Sequence, residues 1–212
     1  MATKLAVYNE ALRLLGERRL TGLTEARDAR YHLDDVYGTA TLYCLEQGYW
    51  NHAMRAVSMT ASLSIEPEFG FSDAFERPSD WVRTYIISPT SDLQQWVSPF
   101  NDEAAVWYAN TAPLYAKYVS SDSAYGMNLG NWPETFAFYV AARLALMTCP
   151  TISSGSAEKL ETVMKIEKKA RLDARSKDAM GEPPAFPPAG TWSQSRSRGM
   201  RRPRTTNGGM IF

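Results

Sequence analysis

Residues 57–65 have the sequence VSMTASLSI, in which apolar residues alternate with serine or threonine at every position. Successive side chains of a strand point to opposite faces of a sheet, so this alternation predicts a half-buried β-strand. Before residue 49 and after residue 131 the apolar residues recur instead at intervals of three and four, which is typical of amphipathic helices. The sequence therefore predicts a mixed α and β chain in which strands interrupt a set of helices.

Two helices are predicted before the strand. Thr3 is a suitable N-cap for the first, and Gly16 is a suitable left-handed stop at its end. Thr24 is the predicted N-cap of a longer second helix, with Glu25 in its first turn and an end at Gly48. We therefore expect a helical hairpin at the start of the fold.

The region after residue 65 favours further strands. Short aromatic and β-branched runs are separated there by proline, aspartate, serine and asparagine. These runs cover residues 81–87, 96–97, 106–109 and 114–119. They predict a small antiparallel sheet or sandwich.

Helical signals return at Pro133, which suits the first position of a helix that ends near Cys149. A serine and glycine linker follows, and Ser156 is the predicted N-cap of a last helix that runs to about Met180. The expected fold class is α+β, a four-helix bundle with an inserted small antiparallel β domain and an extended C-terminal arm. The corresponding regions are 1–56 and 132–180 for the bundle, 57–131 for the β domain and 181–212 for the arm.

The positive charge of the chain is concentrated at its end. The 212 residues carry 23 basic and 23 acidic side chains, but residues 181–212 carry five arginines against one acid. These residues lack periodicity and are rich in proline, glycine and serine, so we expect an extended arm. The arm also carries apolar side chains that could anchor it, and we expect it to bind a partner. The predicted partner-binding residues are Phe186, Trp192, Arg196, Arg198, Arg201, Arg202, Arg204 and Phe212.

Composition and spacing argue against several classes of protein. Cys44 and Cys149 are too few for a disulfide framework, which fits a reducing cytosol. Residues 136–149, the longest apolar stretch, contain Arg143 and fall short of the roughly 20 residues of a membrane span, so we expect no membrane association. The histidines and cysteines lack metal-ligand spacing, and we expect neither a cofactor nor catalysis.

Five segments of the chain, taken together and in order, resemble the tail tubular protein A group of head-to-tail adaptors from short-tailed bacteriophages. The resemblance covers roughly residues 1–180 and is weakest in the arm. The segments are YNEALRLLGERRL, CLEQGYWNHAMRA, FERPSDWVR, LYAKYV and WPETFAFYVAARLALMTC.

The resemblance implies a virion structural protein at the head–tail junction, made in the cytoplasm of the host bacterium. It implies a helical bundle with a β domain, assembled as a ring of twelve copies between the portal protein and the tail tube or nozzle. Genomic DNA would pass through the lumen without sequence-specific contact. In the segment FERPSDWVR, we expect Pro78 to form a turn, Trp81 to fill the β core and Arg83 to pair with an acid.

Two alternatives remain open at this stage. A tail-associated polysaccharide hydrolase would use paired carboxylates among aromatic side chains. Its candidate acids are Asp34, Asp35, Glu66, Glu68, Asp73, Glu76 and Asp80, near Trp50, Phe69, Phe71, Phe75 and Trp81. A nucleic-acid-binding protein would instead use the arginines of the arm for phosphate contacts.

Overall fold

The computed structural model describes residues 2–93, 97, 99–153 and 156–181, in which helices enclose a strand region along the chain. The helices are α1 (Lys4–Leu15), α2 (Asp28–Glu46), α3 (Glu134–Ile152) and α4 (Ala157–Ala179). The strands are β1 (Met54–Met59), β2 (Asp73–Glu76), β3 (Trp81–Ser88), β4 (Asn101–Glu103), β5 (Val106–Ala109) and β6 (Leu114–Ser120). The predicted α+β class is confirmed.

α1 begins and ends where its sequence predicts. The hydroxyl of Thr3 accepts a hydrogen bond from the N–H of Ala6 at 3.2 Å. Gly16 adopts a left-handed conformation with φ 73°, which a side chain with a Cβ atom rarely adopts. The N-cap at Ser156 of α4 is also confirmed, since its hydroxyl accepts from the N–H of Lys159.

α2 begins three residues later than predicted, at Asp28, and the expected N-cap at Thr24 is wrong. The carboxylate of Glu25 accepts hydrogen bonds from the N–H and hydroxyl of Thr21, and Arg30 donates to the Glu25 carbonyl at 2.7 Å. These local bonds hold the segment before Asp28 as a loop. A side-chain cap is absent from α2, whose N-cap is Arg27.

α3 lies at the centre of the helices and contacts α1, α2 and α4. It has ten buried residues among those the structure describes, including Phe136 and Tyr139. Its length and apolar character would also suffice for a membrane span, a test that the core helix of a soluble protein passes as well. The burial of α3 against three helices explains its apolar sequence.

The strands form two small antiparallel sheets, with the orders β1–β6–β3 and β2–β5–β4. A separate apolar cluster lies in the strand region, formed by Phe75, Ile87, Trp107, Ala109, Leu114 and Ala116. The predicted strand over residues 57–65 is displaced, because β1 begins at Met54 and ends where Met59 pairs with Leu114, the first residue of β6. Residues 1–181 form one compact unit, and the proposed boundaries at 56/57 and 131/132 stay predictions.

Candidate functional site

The carboxylate of Asp80 joins the loop before β3 to β1 and β6. It accepts hydrogen bonds from the guanidinium of Arg55 at 2.9 Å, from the hydroxyl of Tyr118 at 3.1 Å, and from the hydroxyl of Ser120. Burial alone would raise the pKa of Asp80, but the hydrogen bonds to its carboxylate have the larger effect and hold the pKa below its ordinary value. Burial and the bond to Asp80 raise the pKa of Tyr118. Three of the five segments that carry the resemblance therefore meet at one charged group.

Trp50 packs the end of α2 against α3. Its side chain is 1% exposed, and its indole N–H donates to the carbonyl of Cys44 at 2.9 Å. The centroids of the Trp50 and Phe136 rings are 4.8 Å apart, and the ring planes are inclined at 62°, which makes an edge-to-face contact. Trp132 makes a second edge contact with Phe136 at 5.1 Å. These aromatic rings join the segments CLEQGYWNHAMRA and WPETFAFYVAARLALMTC.

Gly126 occupies a position on the route from β6 to α3 where no side chain fits. A Cβ atom there would lie 2.2 Å from the carbonyl oxygen of Ser120. The carbonyl of Gly126 also accepts a hydrogen bond from the indole N–H of Trp132 at 2.8 Å. This close backbone approach requires glycine.

The segment FERPSDWVR has the expected turn and core contact, but not the expected ion pair. The N–H of Trp81 donates to the carbonyl of Pro78 at 3.1 Å, and the Trp81 ring packs against the β cluster. Arg83 donates instead to the backbone carbonyl of Glu46 at 3.2 Å and lies 4.3 Å from the centroid of the Tyr49 ring. The prediction that Arg83 pairs with an acid is wrong, because the end of α2 presents a free carbonyl at this point.

Asp34 holds α1 against α2. Its carboxylate accepts hydrogen bonds from Lys4 at 2.9 Å, Tyr8 at 2.7 Å and Arg30 at 2.6 Å. Burial works against ionisation, yet these donors hold the pKa of Asp34 below its usual value. The adjacent Asp35 is exposed. Asp34 is thus committed to a structural ion pair.

The other candidate carboxylates of a hydrolase have different surroundings. Glu76 accepts a hydrogen bond from the hydroxyl of Ser62 at 3.2 Å, and Asp73 from that of Ser72 at 2.6 Å. Glu66 and Glu68 lie in the exposed loop before β2. Asp73 and Glu76 are thus engaged in hydrogen bonds with nearby serine side chains.

His52 and the two cysteines are placed as packing residues. Cys44 and Cys149 are buried and free, and burial raises the pKa of the Cys44 thiol. The ring of His52 lies 4.5 Å from that of Phe136, and burial lowers the pKa of His52 to about 4. Within the described ranges, no group of three or more His, Cys, Asp or Glu residues could hold a metal ion.

Two exposed surfaces stand out because they carry apolar side chains next to charges. The first, which we call the acidic groove, has a volume of about 380 Å³ and is formed by the loop before β2 together with β4 and β5. The second, the outward face of α4, carries Met164 and Leu172, which are 52% and 55% exposed. The residues of the groove that matter below are Glu66, Glu68, Phe69, Phe71, Glu103 and Tyr108.

Sequence reasoning did not find the groove as a site. Glu66 and Glu68 were recognisable as acids near aromatic residues, but Glu103 and Tyr108 join them only because β4 and β5 pair antiparallel beside β2. A contact across about 40 residues of sequence leaves no local pattern. The predicted partner-binding residues Phe186, Trp192, Arg196, Arg198, Arg201, Arg202, Arg204 and Phe212 lie outside the described residues.

In comparisons with known proteins, no family model and no curated protein matches the chain.

Proposed function

We propose that this protein is a head-to-tail adaptor of a short-tailed bacteriophage. It forms a ring, about twelve copies in size, that joins the portal protein to the tail tube or nozzle and surrounds part of the DNA channel. In this proposal the helices form a four-helix bundle, the strands form an inserted β domain, and residues 181–212 form an extended arm. The protein has a structural role in the virion, without catalysis or a cofactor.

The observation that carries the proposal is the meeting of four of the five resembling segments at the junction of helices and sheets. Arg55, Asp80 and Tyr118 come from three segments and share one carboxylate. Arg83 reaches the carbonyl of Glu46, and Trp50 packs on Phe136. The segments that determine one scaffold must contact one another, and these four do.

The order of elements gives further support. Two helices precede the strands and two follow them, which is the arrangement that the resemblance implies. A ring also requires two different surfaces on each copy, because a head-to-tail contact is heterologous. The acidic groove and the outward face of α4 are two such surfaces.

Electron cryomicroscopy of the purified chain with its portal protein tests the proposal. We expect rings of this protein on one end of the portal, with a channel along the axis. Particles without added density at the portal would contradict the adaptor function. Release of reducing sugar from a capsular polysaccharide would point to the hydrolase, and salt-sensitive DNA retention that depends on residues 181–212 would point to a nucleic-acid-binding protein.

A truncation at Met180 tests the role proposed for the arm. The arm cannot bury enough apolar surface by itself to offset an ordering cost of roughly 1–2 kcal/mol per residue, so its removal should leave the melting temperature nearly unchanged. Joining of heads to tails should fail. The matched controls are full-length chains with the five arginines replaced by lysine or by alanine, since lysine keeps the charge but loses bidentate hydrogen bonds. Normal yields of infectious particles from the truncated protein would contradict this role.

A further inference from the structure

The acidic groove combines negative charge with unusually exposed apolar side chains. Residues 60–76 contain four acids and no lysine or arginine. Leu63 is fully exposed and Phe69 is 85% exposed, and both lie in the same loop. Exposed large apolar residues beside uncompensated charges are typical of surfaces that another molecule covers.

The floor of the groove is built by the second sheet. The rings of Phe71 and Tyr108 stack with their centroids 6.4 Å apart, and Tyr108 belongs to the central strand β5. Ser72 is fixed by a hydrogen bond of 2.9 Å from its N–H to the side chain of Asn110. The loop is therefore attached to the sheet at its base while its apolar tips face outward.

The outward face of α4 has the complementary character. Residues 165–175 contain five basic residues against two acids. Lys165, Lys168 and Lys169 are exposed, together with the apolar Met164 and Leu172, and Lys165 also makes an exposed ion pair of 2.7 Å with Glu161. The opposite side of the helix buries Val163, Ala170 and Ala174 against the other helices. Met164, Lys168 and Leu172 recur every four residues, so they form one stripe along the exposed side.

We propose that the acidic groove binds the outward face of α4 in a second copy of this chain. Glu66 and Glu68 pair with Lys165 and Lys168 of the neighbour, while Phe69 and Leu63 cover Met164 and Leu172. The contact rests on the ring that we propose above, and it assigns the two surfaces by which neighbouring copies meet.

A second copy is the occupant that the charges favour. The groove and the face carry opposite charge, and each presents two exposed apolar residues, so each supplies what the other lacks. The stripe from Met164 to Leu172 extends about 12 Å, at 1.5 Å per residue, which matches the scale of a short loop. Because the two surfaces differ, the contact is heterologous and propagates from copy to copy until the ring closes.

Charge reversal on either surface tests the contact, with sedimentation velocity at about 100 μM protein as the measurement. The groove variant combines Glu66→Lys and Glu68→Lys, and the helix variant combines Lys165→Glu and Lys168→Glu. Each variant alone places like charges at the contact, so we expect self-association at least about tenfold weaker than that of the unchanged chain. A double reversal of exposed acids on α2, Asp28→Lys with Asp35→Lys, is the matched control and should leave association unchanged.

Mixing the two variants is the decisive experiment. In an alternating assembly, the positive groove of one variant faces the negative helix of the other at every second contact, and the remaining contacts join an unchanged groove to an unchanged helix. All contacts then bring opposite charges together, so an equimolar mixture should recover the association that each variant lost. Higher salt should weaken association of the unchanged chain. A mixture that stays monomeric, an unchanged chain that is strictly monomeric at this concentration, or a groove variant that associates normally would each overturn the proposed contact.

The outcome is separable from the proposed function. Rings on the portal that form equally well with both variants would retain the adaptor function and reject this contact. Failure of the unchanged chain to bind the portal would reject the adaptor function, whatever the variants do in the absence of the portal.

Discussion

The helical region and the strand region of this protein differ in how they use their apolar residues. The helices share a cluster of 27 buried residues that also takes in Trp50, Val119 and Trp132. The strand region has a cluster of six buried residues, and the loops around it carry the most exposed apolar side chains. The helices therefore provide most of the buried apolar surface, and the two most exposed apolar side chains, Leu63 and Phe69, lie in a loop of the strand region.

The link between the two regions is polar as well as apolar. Val119 of β6 belongs to the helical cluster, whereas Ala116, three residues earlier on the same strand, belongs to the strand cluster. The ion pair of Arg55 with Asp80 lies near this change. One sheet thus connects a large core to a small one, and damage to the connection should affect both.

The largest expected effect is that of Trp50→Ala. Removing a fully buried tryptophan costs about 3–5 kcal/mol, and the contacts of Trp50 with α2 and α3 place this loss in the larger core. The measurement is urea unfolding followed by circular dichroism at 222 nm. Trp107→Ala, which removes an equally buried tryptophan from the small cluster, is the matched comparison. If both regions unfold together, both variants lower a single midpoint. Two separate unfolding transitions for the Trp107 variant would show that the helical region and the strand region unfold independently.

Protonation of His52 should weaken the helical region in mild acid. Burial lowers the pKa of His52 to about 4, so the folded state keeps the ring neutral while the unfolded chain takes up a proton near pH 6.5. The stabilisation is complete above pH 6.5 and is lost as the pH falls from 6.5 towards 4. Its upper bound is about 3.5 kcal/mol, because the pKa falls from 6.5 to about 4 and each unit of pKa difference is worth about 1.4 kcal/mol.

Unfolding measured between pH 7 and pH 4 checks this prediction. His52→Gln should flatten the dependence of the unfolding free energy on pH over this interval. The neighbouring hydrogen bonds between Asn51 and Asp178 do not involve the His52 ring and should remain in the variant. The matched control is His32→Gln, which should keep the dependence. A wild-type stability that is constant from pH 6.5 to pH 4 would contradict the burial of the His52 ring.

Asp80→Asn tests the polar link between the regions. The change removes the charge that pairs with Arg55 and receives the hydroxyls of Tyr118 and Ser120, and we expect a loss of about 2 kcal/mol. The pKa of Asp80 is lowered in the folded state, so its stabilisation is present above an unfolded pKa near 4 and is lost as the pH falls below it. The variant should therefore lose less stability than the unchanged chain when the pH falls below 4. Asp34→Asn, at a similar ion pair between α1 and α2, is the comparison for the helical region.

Local signals allowed much of the helical region to be predicted from sequence. Thr3, Gly16 and Ser156 act where they are expected, because capping is decided by residues within one turn of the helix end. Thr24 fails for a reason that also lies nearby: the Glu25 side chain bonds backward to Thr21 rather than supporting a first helical turn. Competing hydrogen bonds of this kind cannot be ranked from composition.

The strand region was less predictable because its order depends on distant partners. The runs at 106–109 and 114–119 were recognisable from their β-branched and aromatic residues, and they coincide closely with β5 and β6. The alternation of residues 60–65 was equally clear, but β6 offers no partner beyond Leu114, so β1 ends at Met59. The polar strand β4 has no such pattern and forms by pairing with β5. The groove, which depends on that pairing, was accordingly invisible in the sequence.

The smallest expected effect on stability is that of Phe69→Ser in the loop of the acidic groove. Phe69 is 85% exposed, so the folded chain gains little from its burial, and the free energy of unfolding should change by no more than about 0.5 kcal/mol. Phe75→Ser, in the neighbouring strand β2, is the matched control, because the same change at a fully buried ring removes packing and leaves a hydroxyl in an apolar cluster. The free energies of unfolding of the two variants, measured in urea, should therefore differ by several kcal/mol although the two positions lie six residues apart.

Phe69→Ser should nevertheless weaken self-association in the sedimentation experiment, since the Phe69 ring covers apolar residues of the neighbour in the proposed contact. A marked loss of stability for Phe69→Ser would show that this ring packs on its own sheet, which would contradict its exposure and remove it from the surface available to a neighbouring copy.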